Sequence, residues 1–180
     1  MSAELILKTH RSQLEAERYR LITQEFVREK FHYDPDTGRI THINDKIQRK
    51  HRGQEAGYIN DQGYRMIILK NWRYRAHWIA WMYMYGEWPA GRLDHVNRIR
   101  DDNRISNLRV ANTSQNNANR AVRAGTETGL KGIRRMRDGW QARIDYEGRH
   151  FHLGTFNDVE CAKAAYGGAA TVLFGDYKPI

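Results

Sequence analysis

The spacing of apolar positions changes along this chain, and each change marks a new element. Over residues 4–30, Leu14, Leu21, Ile22 and Phe26 form an apolar stripe, imperfect at Arg18 and Glu25. That stripe predicts an amphipathic helix with a solvated charged face. Tyr33-Asp34-Pro35-Asp36-Thr37-Gly38 reads as a turn. Residues 40–43 and 64–69, rich in β-branched side chains, read as strands, with a basic, polar loop over 45–57 between them. Over 74–85, Ala76, Ile79, Ala80 and Tyr83 recur at helical spacing among Trp78, Trp81 and Met82. The prediction is a largely buried helix closed by Gly86 and Pro89.

A strand over 92–96 then carries Leu93-Asp94-His95-Val96. A charged loop spans 97–104, a short strand 108–111, and Asn112 or Thr113 caps a helix to about residue 124, with Asn116 in its first turns. Residues 124–129, Ala-Gly-Thr-Glu-Thr-Gly, suit a linker. Strand-like runs at 132–136, 140–146 and 150–156 follow, joined by Asp138-Gly139 and Glu147-Gly148 as hairpin turns. Asn157 with Glu160 resembles a capping box. The helix after it aligns Ala162, Ala165, Tyr166, Ala169, Ala170 and Leu173 on one face. The fold class expected is α+β. An N-terminal helix spans 1–30, a domain with a β-hairpin spans 31–123, and a three-stranded antiparallel sheet packed on one helix spans 129–180.

Composition narrows the setting. With 30 Lys+Arg against 21 Asp+Glu, the net charge is +9, and a mean hydropathy of −0.83 excludes a membrane-embedded chain. No apolar run approaches the length of a membrane helix, and Met1-Ser2-Ala3-Glu4 lacks the features of a signal peptide. One cysteine, Cys161, excludes an internal disulfide and a Cys-x-x-Cys zinc clamp, so a cytoplasmic setting is expected. Cys161 itself, early on the last helix, reads as inert packing. Arginines are spread through the chain, which favours positioned phosphate contacts over a basic tail.

Asp94-His95, then Asn107 twelve residues after the histidine and Asn116 nine later, is the chemically loaded segment. Hydrolysis of a phosphodiester needs a nucleophile, charge neutralisation at phosphorus and help for the leaving oxygen. A divalent ion can supply the last two. Asp94 is a hard anionic ligand suited to Mg²⁺, which takes few protein ligands, and the amide oxygen of Asn116 can be a second. A neutral His95 can take a proton from water, and the amide oxygen of Asn107 can accept an N–H from that imidazole. His77 reads as a packed core histidine. His10, His32, His42 and His51 read as surface residues. Asn97, Asn103, Asn112, Asn117 and Asn119 read as loop-forming or phosphate-contacting.

Asp94-His95, Asn107 and Asn116 resemble the HNH endonuclease motif in its phage and intron-encoded form, in which Asn replaces the last His. The preceding His77-Trp78-Ile79-Ala80-Trp81, Tyr85-Gly86 and Pro89, with the turn at 33–38, extend the likeness over residues 31–119. The resemblance implies a ββα-metal fold and one Mg²⁺ or Mn²⁺ per site on Asp94 and Asn116. It also implies His95 as general base and Asn107 holding it.

Lys131-Gly132-Ile133-Arg134, Gly139 to Ile144 and His152-Leu153-Gly154-Thr155-Phe156, with the Ala-rich helix, resemble the DNA-binding domain of plant ethylene-response factors over 129–177. Alternation sends Ile133, Ala142, Ile144, Phe151 and Leu153 to the helix. It leaves Arg134, Gln141, Arg143, Asp145, His150 and His152 on the open face. The resemblance implies that this face enters the major groove. Arg134 and Arg143 would then read guanine edges, while Lys131, Arg135 and Arg149 touch phosphates.

The function expected is a site-directed, metal-dependent DNA endonuclease of phage or homing type. It acts on double-stranded DNA, in the host cytoplasm if phage-encoded, with no membrane and no obligatory protein partner. The alternative is a DNA-binding regulator with an inactive HNH module. RNA is a weaker substrate, because the sheet lacks paired stacking aromatics.

Overall fold

The computed structural model describes residues 17, 19–43, 52–122 and 128–177. The chain divides into two compact units, Met1–Arg109 and Val110–Ile180. Among the described residues the protein is mixed α/β, with four α-helices and several small antiparallel sheets.

In the first unit, α1 spans Gln24–Lys30. The helix predicted over 4–30 is interrupted: Thr23 is extended, at φ −92° and ψ 166°, and its side chain accepts from Phe26 N as a new N-cap. Ile22, just before the cap, is buried at the break. Residues 4–16 and 18 of that predicted helix lie outside the described residues.

Strand β1 (Phe31–Tyr33) pairs antiparallel with β2 (Ile40–His42), Phe31 opposite His42 and Tyr33 opposite Ile40. The carboxylate of Asp34 closes the turn between them, accepting from Asp36 N, Thr37 N and the Thr37 hydroxyl. A meander follows, β3 (Tyr58–Ile59), β4 (Arg65–Leu69) and β5 (Trp72–Arg75). Lys70 and Asn71 turn β4 into β5, both at positive φ, as a two-residue primed hairpin turn requires.

Pairing with β4 draws Tyr74 and Arg75 into strand, so α2 runs over Ala76–Tyr85, two residues shorter than predicted. Gly86, in the left-handed conformation at φ 74°, ends it and donates its N–H to Met82 O. Val27, Phe31, Ile40, Ile67, Tyr74 and Ile79 are central to the core between these elements. Gln24 and Arg28 both donate to Tyr83 O, fixing α1 to the last turn of α2. Strand β6 (Arg92–His95) pairs with β7 (Leu108–Ala111), which leads into the second unit.

In the second unit, α3 (Thr113–Asn119) begins at a capping box made by Asn112 and Gln115. It ends at Asn119 rather than near 124. Lys131 Nζ donates to the carbonyls of Asn117, Ala118 and Arg120, closing the C-terminus of this helix. Ser114 Oγ accepts from Glu147 N, and Tyr177 donates to Val110 O. These bonds join α3 to the C-terminal sheet and helix, ahead of the linker suggested at 124–129.

The sheet has the order β10 (Arg149–Phe156), β9 (Gly139–Tyr146), β8 (Ile133–Met136), all antiparallel. Helix α4 (Val159–Phe174) covers one face. Ile133, Ala142 and Ile144 bury against Ala162, Ala170 and Phe174. A bulge between His152 and Gly154 resets the alternation. Leu153 and Phe156, three residues apart, can therefore both pack against the helix.

Three expectations are corrected here. Phe151 is 41% exposed instead of buried. Asp158, not Asn157, caps α4, accepting from Cys161 N. Cys161 is exposed, not packed. Among the described residues no helix is long and apolar enough to cross a membrane.

Candidate active site

Asp94 and His95 end β6, and both are buried, at 6% and 5% exposure. Burial of adjacent residues on one strand means that both faces of β6 are covered there. Arg109, on β7, donates Nε and Nη2 to Asp94 Oδ2, each at 3.0 Å. Sequence analysis missed Arg109. The available signal was its position two residues beyond Asn107, on the strand that pairs with Asp94.

The loop between β6 and β7 is built from amides and carboxylates. Asn107 Oδ1 accepts from Asn97 N, and its Nδ2 donates to Asn97 Oδ1 and Asp102 O. Asn97 Nδ2 in turn donates to Asp102 Oδ2 at 2.6 Å, while Arg104 brings Nε and Nη2 to the same carboxylate. Those donors, Arg104 foremost, pull the Asp102 carboxyl down to about 2. The expectation that Asn107 orients the imidazole is corrected: the Asn107 amide makes three hydrogen bonds within the loop, and Asn103 is the amide placed at the His95 ring.

Asn103 is the amide beside His95, with Oδ1 3.5 Å from Nε2. It is 2% exposed, and its Nδ2 donates to Asp101 O. A carbonyl oxygen at that place favours the tautomer with the proton on Nε2 and the lone pair on Nδ1. Tyr33 positions Asn103 by donating to its backbone carbonyl at 2.8 Å. Burial pushes the Tyr33 hydroxyl pKa well above its ordinary value. Gly38 has φ 75°, and a Cβ there would stand 2.5 Å from Arg104 N and 2.6 Å from Asn103 C. Only glycine allows the 34–38 turn to lie this close to the loop.

Two rings flank the imidazole. His77 stands edge-on to His95 at 4.8 Å, and Tyr64 lies 5.6 Å from His77 and 6.1 Å from His95. His77 is buried at 1% exposure, and its Nε2 has no hydrogen-bond partner among the described residues. Burial holds His77 well below the usual histidine range, helped by His95 and Arg75. Burial also lowers His95, which Asn103, Asp94 and Asp102 oppose and Arg100 reinforces. Both imidazoles are therefore neutral at neutral pH, and a neutral His95 can accept a proton.

Residues 74–118 match the model of the HNH endonuclease family. That segment includes Asp94, His95, Asn107 and Asn116, and it supports a nuclease. No curated protein and no solved structure matches the chain. Among the described residues no cluster of three His, Cys, Asp or Glu is placed to hold a metal. A hard ion that keeps most of its waters needs fewer protein ligands than that, and the carboxylate of Asp94 is a donor of the right kind. Asn116 belongs to α3 of the second unit.

In the second unit, the register sorts the proposed DNA contacts. Arg134 pairs with Gln141, and Arg143 with His152, on the sheet face away from α4. His150 shares that face and holds the Asp145 carboxylate at 2.7 Å. Arg135 pairs with Trp140 and lies over its ring at 4.7 Å, and Arg149 pairs with Tyr146. Both aromatic partners pack on the helix side, so Arg135 and Arg149 do not share the open face. Lys131 is engaged by the α3 carbonyls instead of pointing at a phosphate.

Proposed function

We propose that the protein is a metal-dependent DNA endonuclease that hydrolyses phosphodiester bonds at chosen sites, of the phage or homing kind. The observation that carries this reading is the buried Asp94–His95 pair at the end of β6, inside the segment that matches HNH endonucleases. His95, neutral because it is buried, is the general base that takes the proton from the attacking water. Asn103 holds its ring through Nε2, and Asn107 holds the loop that carries Asn103.

The carboxylate of Asp94 would hold one Mg²⁺ or Mn²⁺, and the resemblance assigns the amide oxygen of Asn116 as a second donor. When bound, that ion neutralises charge on the phosphate and assists the leaving oxygen. Arg109 balances the Asp94 carboxylate and fixes its orientation. The open sheet face of the second unit supplies the address. Arg134, Gln141, Arg143 and His152 face a base-pair groove of double-stranded DNA. The ethylene-response-factor likeness, three antiparallel strands on one helix, supports that assignment.

Cleavage of supercoiled plasmid with Mg²⁺, with Mn²⁺ and with EDTA, comparing wild type and His95→Ala, tests the reading. Nicks or breaks that need the ion and vanish in the variant support it. Tight DNA binding without cleavage under every condition would favour a DNA-binding regulator with an inactive module.

A further inference from the structure

Two arginines on the Tyr64 ring have no place in that mechanism. Arg75 occupies the N-cap position of α2, and Arg100 belongs to the loop between β6 and β7. Their guanidinium carbons stand 4.5 and 5.1 Å from the centroid of the Tyr64 ring. Arg100 Nη1 also donates to Gln62 O at 2.6 Å, which pins its head in place. The ring that carries both cations lies 6.1 Å from that of His95.

Neighbouring arginines are neutralised. Arg65 faces Glu55 and Asp101, Arg104 faces Asp102, and Arg109 faces Asp94. Neither Arg75 nor Arg100 has a carboxylate partner among the described residues. An aromatic face orients a guanidinium plane and holds it by cation–π attraction while leaving its N–H edges available. Two such cations on one ring repel each other unless an anion lies between or before them. Their fork geometry matches phosphate oxygens.

We propose that Arg75 and Arg100, carried on Tyr64, form a clamp for a backbone phosphate of the DNA strand presented to His95. The clamp rests on the nuclease reading, and it adds the element that would seat the substrate beside the base. Tyr64 sets the distance between clamp and imidazole, because its ring touches both groups.

Two measurements test it. The first is DNA affinity against salt in a His95→Ala background with EDTA, where no strand is cut. The second is single-turnover cleavage at saturating DNA with Mg²⁺ in the otherwise wild-type chain. Arg75→Gln and Arg100→Gln are each expected to reduce the slope of log affinity against log salt by about 1. They should also slow cleavage by about a hundredfold. Arg75→Lys and Arg100→Lys keep the charge and lose the fork, so the slope should stay while cleavage slows. Both positions carry exposed side chains whose exchange leaves the core intact. Unchanged slopes with cleavage within about twofold of wild type in both Gln variants would overturn the clamp alone. A wild-type chain that neither binds nor cuts DNA would overturn the nuclease reading and the clamp with it.

Discussion

Arg109 places both Nε and Nη2 3.0 Å from a single oxygen, Oδ2, of the Asp94 carboxylate. The two side chains are 16% and 7% exposed, so neither charge is well solvated. Removing one partner of such a pair leaves the other charged and buried, at a cost of about 3–5 kcal/mol. Arg109→Gln should therefore lower the unfolding free energy by about 3 kcal/mol, and Asp94→Asn with Arg109→Gln should recover much of it. Urea denaturation of the two single variants and the double variant reads the coupling. Additive losses would mean that the pair does not act as a unit.

Asn103 and Asn107 separate orientation of the base from closure of the loop. Asn107→Ala removes three hydrogen bonds within the loop and should cost about 2 kcal/mol of stability. Asn103→Ala removes the amide facing His95 and should lower kcat by about 10–100-fold with KM unchanged. Steady-state cleavage and thermal melting on both variants check this. If Asn107→Ala took the larger kcat loss at unchanged stability, Asn107 would be the orienting residue after all.

The contrast between those two amides shows what the sequence can and cannot carry. The elements that bear the site are legible from local pattern: β6 and β7 from short apolar runs, α3 from its capping signal at Asn112, and α2 from its helical spacing. The helix break at Thr23 was not, because Leu21, Ile22 and Phe26 continue an apolar stripe straight across a residue that caps. The start of α2 was misplaced by two residues because pairing with β4 is a non-local gain that overrides helical spacing. Asp94 and His95 stood out by residue type, and the family match covers them. Asn103 did not, since six other asparagines between residues 97 and 119 carry the same donors and acceptors. Only the close approach of the 34–38 turn, allowed by Gly38, selects it. Arg135 and Arg149 show the same limit on the sheet, where the register decides which face each basic residue joins.

The loop should also confer a specific acid sensitivity. Asp102 ionises at about 2 in the folded protein against an ordinary 3.8, chiefly because of Arg104. A depressed folded value means that the stabilisation is complete above about pH 4 and is lost as pH falls towards 2. Asp102→Asn should flatten the fall in stability across that window while leaving other acid transitions in place. Denaturation midpoints measured from pH 2 to 5 on wild type and variant check the sign. An identical pH dependence in both proteins would remove Asp102 from the account.

Lys131 and Arg143 divide a structural cation from a DNA-facing one. Lys131 Nζ closes α3 through the carbonyls of Asn117, Ala118 and Arg120. Arg143 is exposed on the sheet face opposite α4, beside His152. Lys131→Met keeps the stem and removes the donors, so it should destabilise the second unit by about 1–2 kcal/mol. The dependence of DNA affinity on salt should not change. Arg143→Ala should leave stability within about 0.5 kcal/mol, as a surface substitution, and weaken binding to a preferred site by about 1–3 kcal/mol if it reads a base. Melting of each variant, with affinity measured on preferred and on random duplexes, separates the roles. A lower salt slope in Lys131→Met would return that lysine to the phosphate contacts. An Arg143→Ala variant weakened equally on both duplexes would make Arg143 a backbone contact instead of a reader of bases.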